Sequence, residues 1–195
     1  MTRQADIRRT TGETDVRVAL GLDGDGTVPA TTGVGFFDHM LVLFGRHGRL
    51  TLDVETTGDL ETGSHHTVED TGIVIGQALD EALGDRAGIE RYGSAFVPMD
   101  ESLVHAVVDI SGRPYLGLDL DLPFAVIGGF ETDLVQEFLR GLVNHSKLTL
   151  HVRQLAGENP HHVIEGVFKS VARALCQAVA VNPDVRGIPS TKGVL

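Results

Sequence analysis

Apolar positions along this chain change period several times. Val16, Val18 and Leu20 alternate with Arg17 and Ala19, the spacing of a half-buried strand, which ends in the glycine-rich stretch Gly21 to Gly26. Residues 1 to 12 are polar and read as a lead into it. Asp23-Gly24-Asp25-Gly26 resembles a fragment of a calcium loop without the closing Glu, so it reads as a hairpin turn, with Thr27 to Thr32 as the returning strand. Phe36 to Phe44 is apolar nearly all round and predicts a buried helix ended by Gly45 and Gly48. Leu50, Leu52 and Val54 alternate as a strand, and a loop runs from Glu55 to Ser64. Val68, Gly72, Ile75, Gly76, Leu79 and Leu83 then follow helical spacing as far as Gly84 and Gly88.

The same series begins again in the second half. Glu101 to Gly112 mirrors Glu13 to Gly24, and Leu116, Leu118, Leu120 and Leu122 alternate with small or polar residues as a strand. Asp133 to Asn144 matches the helix around His39. Lys147-Leu-Thr-Leu-His-Val152 matches Arg49-Leu-Thr-Leu-Asp-Val54, which sets Glu137 opposite His39 and His145 opposite His47. A last helical pattern runs through Ile164, Val167, Phe168, Val171, Ala172 and Leu175 and stops at Asn182-Pro183. The chain thus reads as an internally duplicated α+β fold, each half a small sheet packed with two helices. Residues 1–90 form one half-repeat and 91–195 the other, within one compact domain of a size that supports a substantial core.

Each late helix opens on a paired-histidine block: His65-His66-Thr67-Val68-Glu69-Asp70 and His161-His162-Val163-Ile164-Glu165. One such block is an ordinary helix start, with Pro160 a normal first-turn residue and a Glu that complements the helix dipole. Two copies in register point to metal. On a helix the first His and the Glu, four residues apart, share a face, whereas the second His lies about 100° further round. If the two helices face each other across a pseudo-twofold axis, the simplest arrangement crosses the ligands. His65, Glu69 and His162 would then serve one ion, and His161, Glu165 and His66 the other.

Composition narrows the chemistry. Hydrophobic residues make up 42% and charged residues 22%, an ordinary globular balance. The formal net charge is -11, with no basic run longer than Arg8-Arg9, which argues against nucleic acid or an anionic membrane as partner. Any anionic substrate must be met by a few focused cations. The one cysteine, Cys176, falls in the apolar pattern of the last helix and gives no disulfide framework. No signal-peptide stretch opens the chain and no run reaches about 20 apolar residues, so the expected location is cytoplasmic.

Phe37-Asp38-His39-Met40, the two His-His-x-x-Glu blocks, Met99-Asp100-Glu101, Ser111-Gly112-Arg113-Pro114 and the terminal Pro189-Ser-Thr-Lys-Gly193, in that order over nearly the whole chain, resemble the imidazoleglycerol-phosphate dehydratase family. The resemblance implies a ribosomal protein S5 domain 2-like fold and a hydro-lyase of histidine biosynthesis with two Mn(II) ions per site. It also implies a homo-oligomer, an octahedral 24-mer built from trimers. By motif, His39, His65, Glu69 and His162 would take one ion, and His66, His161, Glu165 and Glu137 the other. Relatives often carry His where this chain has Glu137, but manganese accepts oxygen donors readily; the alternative, His145, lies eight residues on and near the end of its helix.

The resemblance further implies a substrate-contacting Glu13, the expected general base, with Glu69 and Glu165 beside it among the catalytic carboxylates. His39, His65, Glu69 and His161 would contact the substrate as well. Arg91, Arg113, Ser190, Thr191 and Lys192 would hold its phosphate, and Lys169, two turns beyond His161 on the same face, is within reach of the substrate. Metals at both nitrogens of the imidazole ring would favour an imidazolate able to help expel the neighbouring hydroxyl. Two other functions use similar ligands: a non-catalytic metal-storage or metal-stapled assembly protein, which leaves the arginines and the Ser-Thr-Lys tail unexplained, and a di-metal hydrolase, usually richer in bridging Asp. Whether the metal pairs close within one chain or between chains is not fixed by the repeat.

Overall fold

In the computed structural model, which describes residues 3–195, one order of elements runs twice. Strands β1 (Gln4–Thr10) and β2 (Thr14–Gly21) form a hairpin, followed by the short β3 (Ala30–Thr31), helix α1 (Gly35–Gly48), β4 (Thr51–Gly58) and helix α2 (His65–Leu83). The second series is β5 (Tyr92–Met99), β6 (Ser102–Asp109), β7 (Tyr115–Asp119), a small hairpin of β8 (Val126–Ile127) and β9 (Phe130–Glu131), helix α3 (Leu134–Ser146), β10 (Thr149–Ala156) and helix α4 (Pro160–Ala178). The two sheets have the orders β1-β2-β4-β3 and β5-β6-β10-β7. In each, the third strand in sequence lies parallel to the last, and the other neighbours are antiparallel.

Three readings change. The polar lead is an edge strand: Ala5 and Ile7 face the core while charged neighbours face water, the usual guard on an unpaired sheet edge. The segment after Gly26 does not return along β2, whose two flanks are filled by β1 and β4. It runs instead beside β4, where the carbonyls of Thr27 and Pro29 accept from Leu52 and Val54. In the leucine alternation from Leu116 to Leu122, only the part to Asp119 pairs as a strand; Leu120 and Leu122 go on packing against the core without sheet bonds.

The helices join the halves. α2 lies on β1 and β2 but packs most closely on α3, and α4 lies on β5 and β6 and packs on α1. Glycines permit the first crossing: a Cβ at Gly76 would stand 2.6 Å from the Leu142 carbonyl, and one at Gly141 2.9 Å from that of Glu69. The centre is aromatic. Phe138 of α3 packs edge-on against Phe37 and Phe44 of α1 and stacks on Phe168 of α4 at 5.0 Å. Both α1 and α3 end on a left-handed residue, Arg49 (φ 54°) and Lys147 (φ 57°), at matching places in the repeat.

Candidate functional site

The paired histidines occupy the first turns of α2 and α4, and the two rings of each pair stand nearly perpendicular, at 89° and 84°. On α4, His161 Nε2 and, from α1, His39 Nε2 lie 3.1 and 3.4 Å from the same oxygen, Glu165 Oε1. Lys169 donates to the other oxygen at 2.5 Å. Burial pushes the Glu165 carboxyl upward, but Lys169 and then the two imidazoles outweigh it, and the net shift is downward. On α2, His65 Nε2 lies 3.5 Å from Glu69 Oε2.

The second histidines look elsewhere. His66 donates from Nδ1 to Asp59, at 3.0 and 3.1 Å, and its Nε2 is 3.8 Å from Glu13. His162 donates from Nδ1 to Glu101 at 2.7 Å, with Asp100 3.8 Å from its Nε2. Both imidazoles are held above their ordinary pKa, first of all by the hydrogen bond to that carboxylate. Glu101, bonded by His162 and by the Asn159 amide, is held down at about 2. Asp59 and Glu101 carry no role in the sequence reading. Glu101 was detectable, because it occupies in the second half the place that Glu13 occupies in the first; Asp59 lay within a stretch read as loop.

Within one chain, then, the histidines are not crossed. His39 joins His161 and Glu165 rather than His65, Glu69 and His162, and among the described residues no three ligand-type side chains form a complete metal site. Glu137 accepts from Arg140 on its own helix at 2.8 Å. His145 donates to the Gly141 carbonyl and lies beside Gly76, Gln77 and Asp80, roughly 16 Å along α2 from His65.

Glu13 sits in the turn between β1 and β2. Thr11 Oγ1 accepts from the Glu13 and Thr14 amides at 3.1 and 3.0 Å, and the Glu13 carbonyl accepts from the Asp59 amide at 3.1 Å. The turn is tied to α2 by Asp70, only 7% exposed, which receives the Thr14 hydroxyl and faces Arg9 at 2.7 Å. His47, on α1, has its pKa lowered by burial and then by Lys169, Arg173 and Arg46.

The phosphate candidates gather at the far end of the second sheet. Arg91 is bonded to Asp109 at 2.8 Å and to the Pro189 carbonyl at 2.9 Å, which fastens the tail carrying Ser190, Thr191 and Lys192. Arg113 donates to the Ser111 carbonyl in the neighbouring turn, and Leu195 ends the chain against Gly112. Arg91 precedes β5, whereas Glu101 and His162 lie beyond its other end, and eight extended residues span about 27 Å.

A family model described as imidazoleglycerol-phosphate dehydratase matches residues 32–175. The chain belongs to the imidazoleglycerol-phosphate dehydratase family. It is 57% identical to the imidazoleglycerol-phosphate dehydratase of Moorella thermoacetica and 56% identical to that of Desulforamulus reducens, each over 195 residues and the full length of both chains. Among solved structures of the family, the Staphylococcus aureus enzyme superimposes with a TM-score of 0.83 at 42% identity, covering 92% of this chain and 99% of that one. The Pyrococcus furiosus enzyme, solved in complex with (S)-C348, gives 0.82 at 39% identity, covering 97% of this chain and all of that one. No helix among the described residues of this family member is long and apolar enough to cross a membrane.

Proposed function

We propose that this protein is an imidazoleglycerol-phosphate dehydratase that eliminates water from imidazole glycerol phosphate to give imidazole acetol phosphate, with two Mn(II) ions per site. The observation that carries the metal reading is the anchoring of His66 by Asp59 and of His162 by Glu101. A metal-bound imidazole characteristically gives its other N–H to a carboxylate, which fixes the ring and its tautomer. Both second histidines have that bond through Nδ1 and keep Nε2 for a ligand.

The donor set suits a divalent ion that accepts imidazole nitrogen and carboxylate oxygen alike. His39, His161 and Glu165 would hold one ion and His65 and Glu69 another, with His66 and His162 supplied by neighbouring chains and Glu137 a further candidate. Bound metal would stabilise negative charge on the substrate's ring.

The distance between the imidazole clusters and the phosphate candidates supports the oligomer. About 27 Å separates them within one chain, well beyond the length of a five-membered ring joined to a three-carbon phosphate. Both can reach one substrate when one chain's tail end meets the histidine end of another, as in an assembly of trimers into a 24-mer. Arg113, Ser190, Thr191, Lys192 and the free part of the Arg91 fork would then grip the phosphate.

The remaining chemistry falls to groups outside the metal shell. Glu13, with its side chain 57% exposed on a turn against His66, would take the proton from the middle carbon, one bond further from the ring than the carbon that loses its hydroxyl. The pair of electrons left behind forms the new C=C bond as the neighbouring C–O bond breaks. The hydroxyl takes up a proton and leaves as water, and the resulting enol becomes the ketone. Lys169, held on Glu165, sets a positive charge beside the reacting ring. Glu13→Gln should lower turnover roughly 10²- to 10⁴-fold with metal content unchanged; wild-type turnover on imidazole glycerol phosphate would remove Glu13 from the reaction.

A further inference from the structure

His65 and His66 are the first two residues of α2, where a helix has unsatisfied amides and its position depends on how the start is held. On α4 the start is held locally: Asn159 caps it by accepting from the His161 amide at 3.0 Å. Ser64 occupies the same place before α2, yet makes no cap bond. Only 4% exposed, its hydroxyl turns away and donates to Glu131 Oε2 at 2.6 Å and towards the Gly129 carbonyl at 3.0 Å, in the β8–β9 hairpin of the other half. A serine cap stabilises the helix it begins, so the diversion costs local stability in favour of a contact 67 residues away.

The hairpin reaches the second block too. Gly128, at φ 55°, brings the backbone against Phe36, where an added Cβ would stand 3.2 Å from the Phe36 Cβ. Phe36 in turn packs edge-on against His161 at 5.0 Å. The hairpin's own position is fixed by Phe130, fully buried and stacked on Phe37, and by Thr132, which bonds Pro123 and Ala125.

We propose that the β8–β9 hairpin sets the relative position of the two histidine blocks, with Glu131 as a positioning residue that holds the first turn of α2 through Ser64. This rests on His65 and His66 being metal ligands.

The test uses the full-length assembled protein and Mn(II) alone, with free Mn(II) followed by electron paramagnetic resonance, alongside steady-state kinetics. Glu131→Ala and Ser64→Ala should each weaken Mn(II) affinity about tenfold, as loss of supporting bonds around a metal site does. Each should lower kcat with KM little changed. Glu131→Gln keeps a carbonyl that accepts the Ser64 hydroxyl and should stay near wild type. The double alanine variant should be no worse than either single, since both remove one interaction.

Wild-type Mn(II) affinity in Ser64→Ala, a Glu131→Gln protein as impaired as Glu131→Ala, or additive losses would each overturn the proposal. Ser64→Ala removes only a hydroxyl and decides the matter if Glu131→Ala does not fold. A control with His65→Ala and His66→Ala separates the two readings. Full Mn(II) binding there ends the metal reading itself, whereas loss there with none in Ser64→Ala ends only the positioning role.

Discussion

Replacing Asp70 by alanine tests how the Glu13 turn is fixed. Asp70 is 7% exposed, faces Arg9 at 2.7 Å and receives the Thr14 hydroxyl, so its removal leaves a cation unpaired and the buried hydroxyl with only a 3.3 Å contact to Thr11 Oγ1. Breaking a fully buried ion pair costs about 3–5 kcal/mol. Arg9's side chain is 34% exposed and water takes back part of its charge, which brings the expected loss to roughly 2–3 kcal/mol. For a chain of 195 residues that lowers Tm by about 5–10 °C. Asp70→Asn keeps an acceptor for Thr14 and gives up only the charge, for a loss of about 1 kcal/mol. Thermal unfolding at fixed protein and metal concentration measures both. Turnover should fall in the same order, because Thr14 no longer holds the Thr11 to Glu13 turn against α2. An alanine variant within about 0.5 kcal/mol of wild type would refute the reasoning and show that water can stand in for this carboxylate beside Arg9 and Thr14.

His66 and His162 bind protons more tightly in the folded, metal-free chain than when unfolded, so their contribution is full below the ordinary value of 6.5 and is lost as pH rises through the raised values. Metal uptake needs neutral imidazoles, so the rise in Tm on adding Mn(II) should grow between about pH 6 and about pH 8, and a flat response would count against both histidines as ligands. The depressed Glu101 works at the other extreme: its contribution is present above 4.5 and fades as pH falls towards about 2, which acid titration of unfolding with Glu101→Gln as control would register. Ending the chain after Gly187 removes the carbonyl that Arg91 binds together with Ser190, Thr191 and Lys192. KM should rise about tenfold or more with kcat nearly unchanged, and an unchanged KM would take the tail out of phosphate binding.

The duplication was legible because both copies keep their apolar periods: Leu50, Leu52 and Val54 answer Leu148, Leu150 and Val152, and both sets are buried. What local pattern could not show was pairing between distant segments. β1 looks like a polar lead because an edge strand turns only alternate side chains inward, here the buried Ala5 and the half-buried Ile7. β3 was misread because a parallel partner leaves no turn between neighbours in sequence. At the site, the His-x-x-x-Glu spacing correctly gave His65 with Glu69 and His161 with Glu165, since one helix fixes both members. The partners of His66 and His162 come from a loop and a hairpin turn, so nothing in helical geometry announced Asp59 or Glu101.

The gap of about 27 Å between the histidine end and the tail end has a genetic consequence. In the proposed assembly each chain would contribute the front of one reaction chamber and the back of another, so a lesion at either pole would be shared with a neighbour rather than confined to the copy that carries it. Two alleles inert for opposite reasons, one without Glu13 and one without Arg113, would together yield some intact chambers in a mixed particle, whereas two alleles broken at the same pole would yield none.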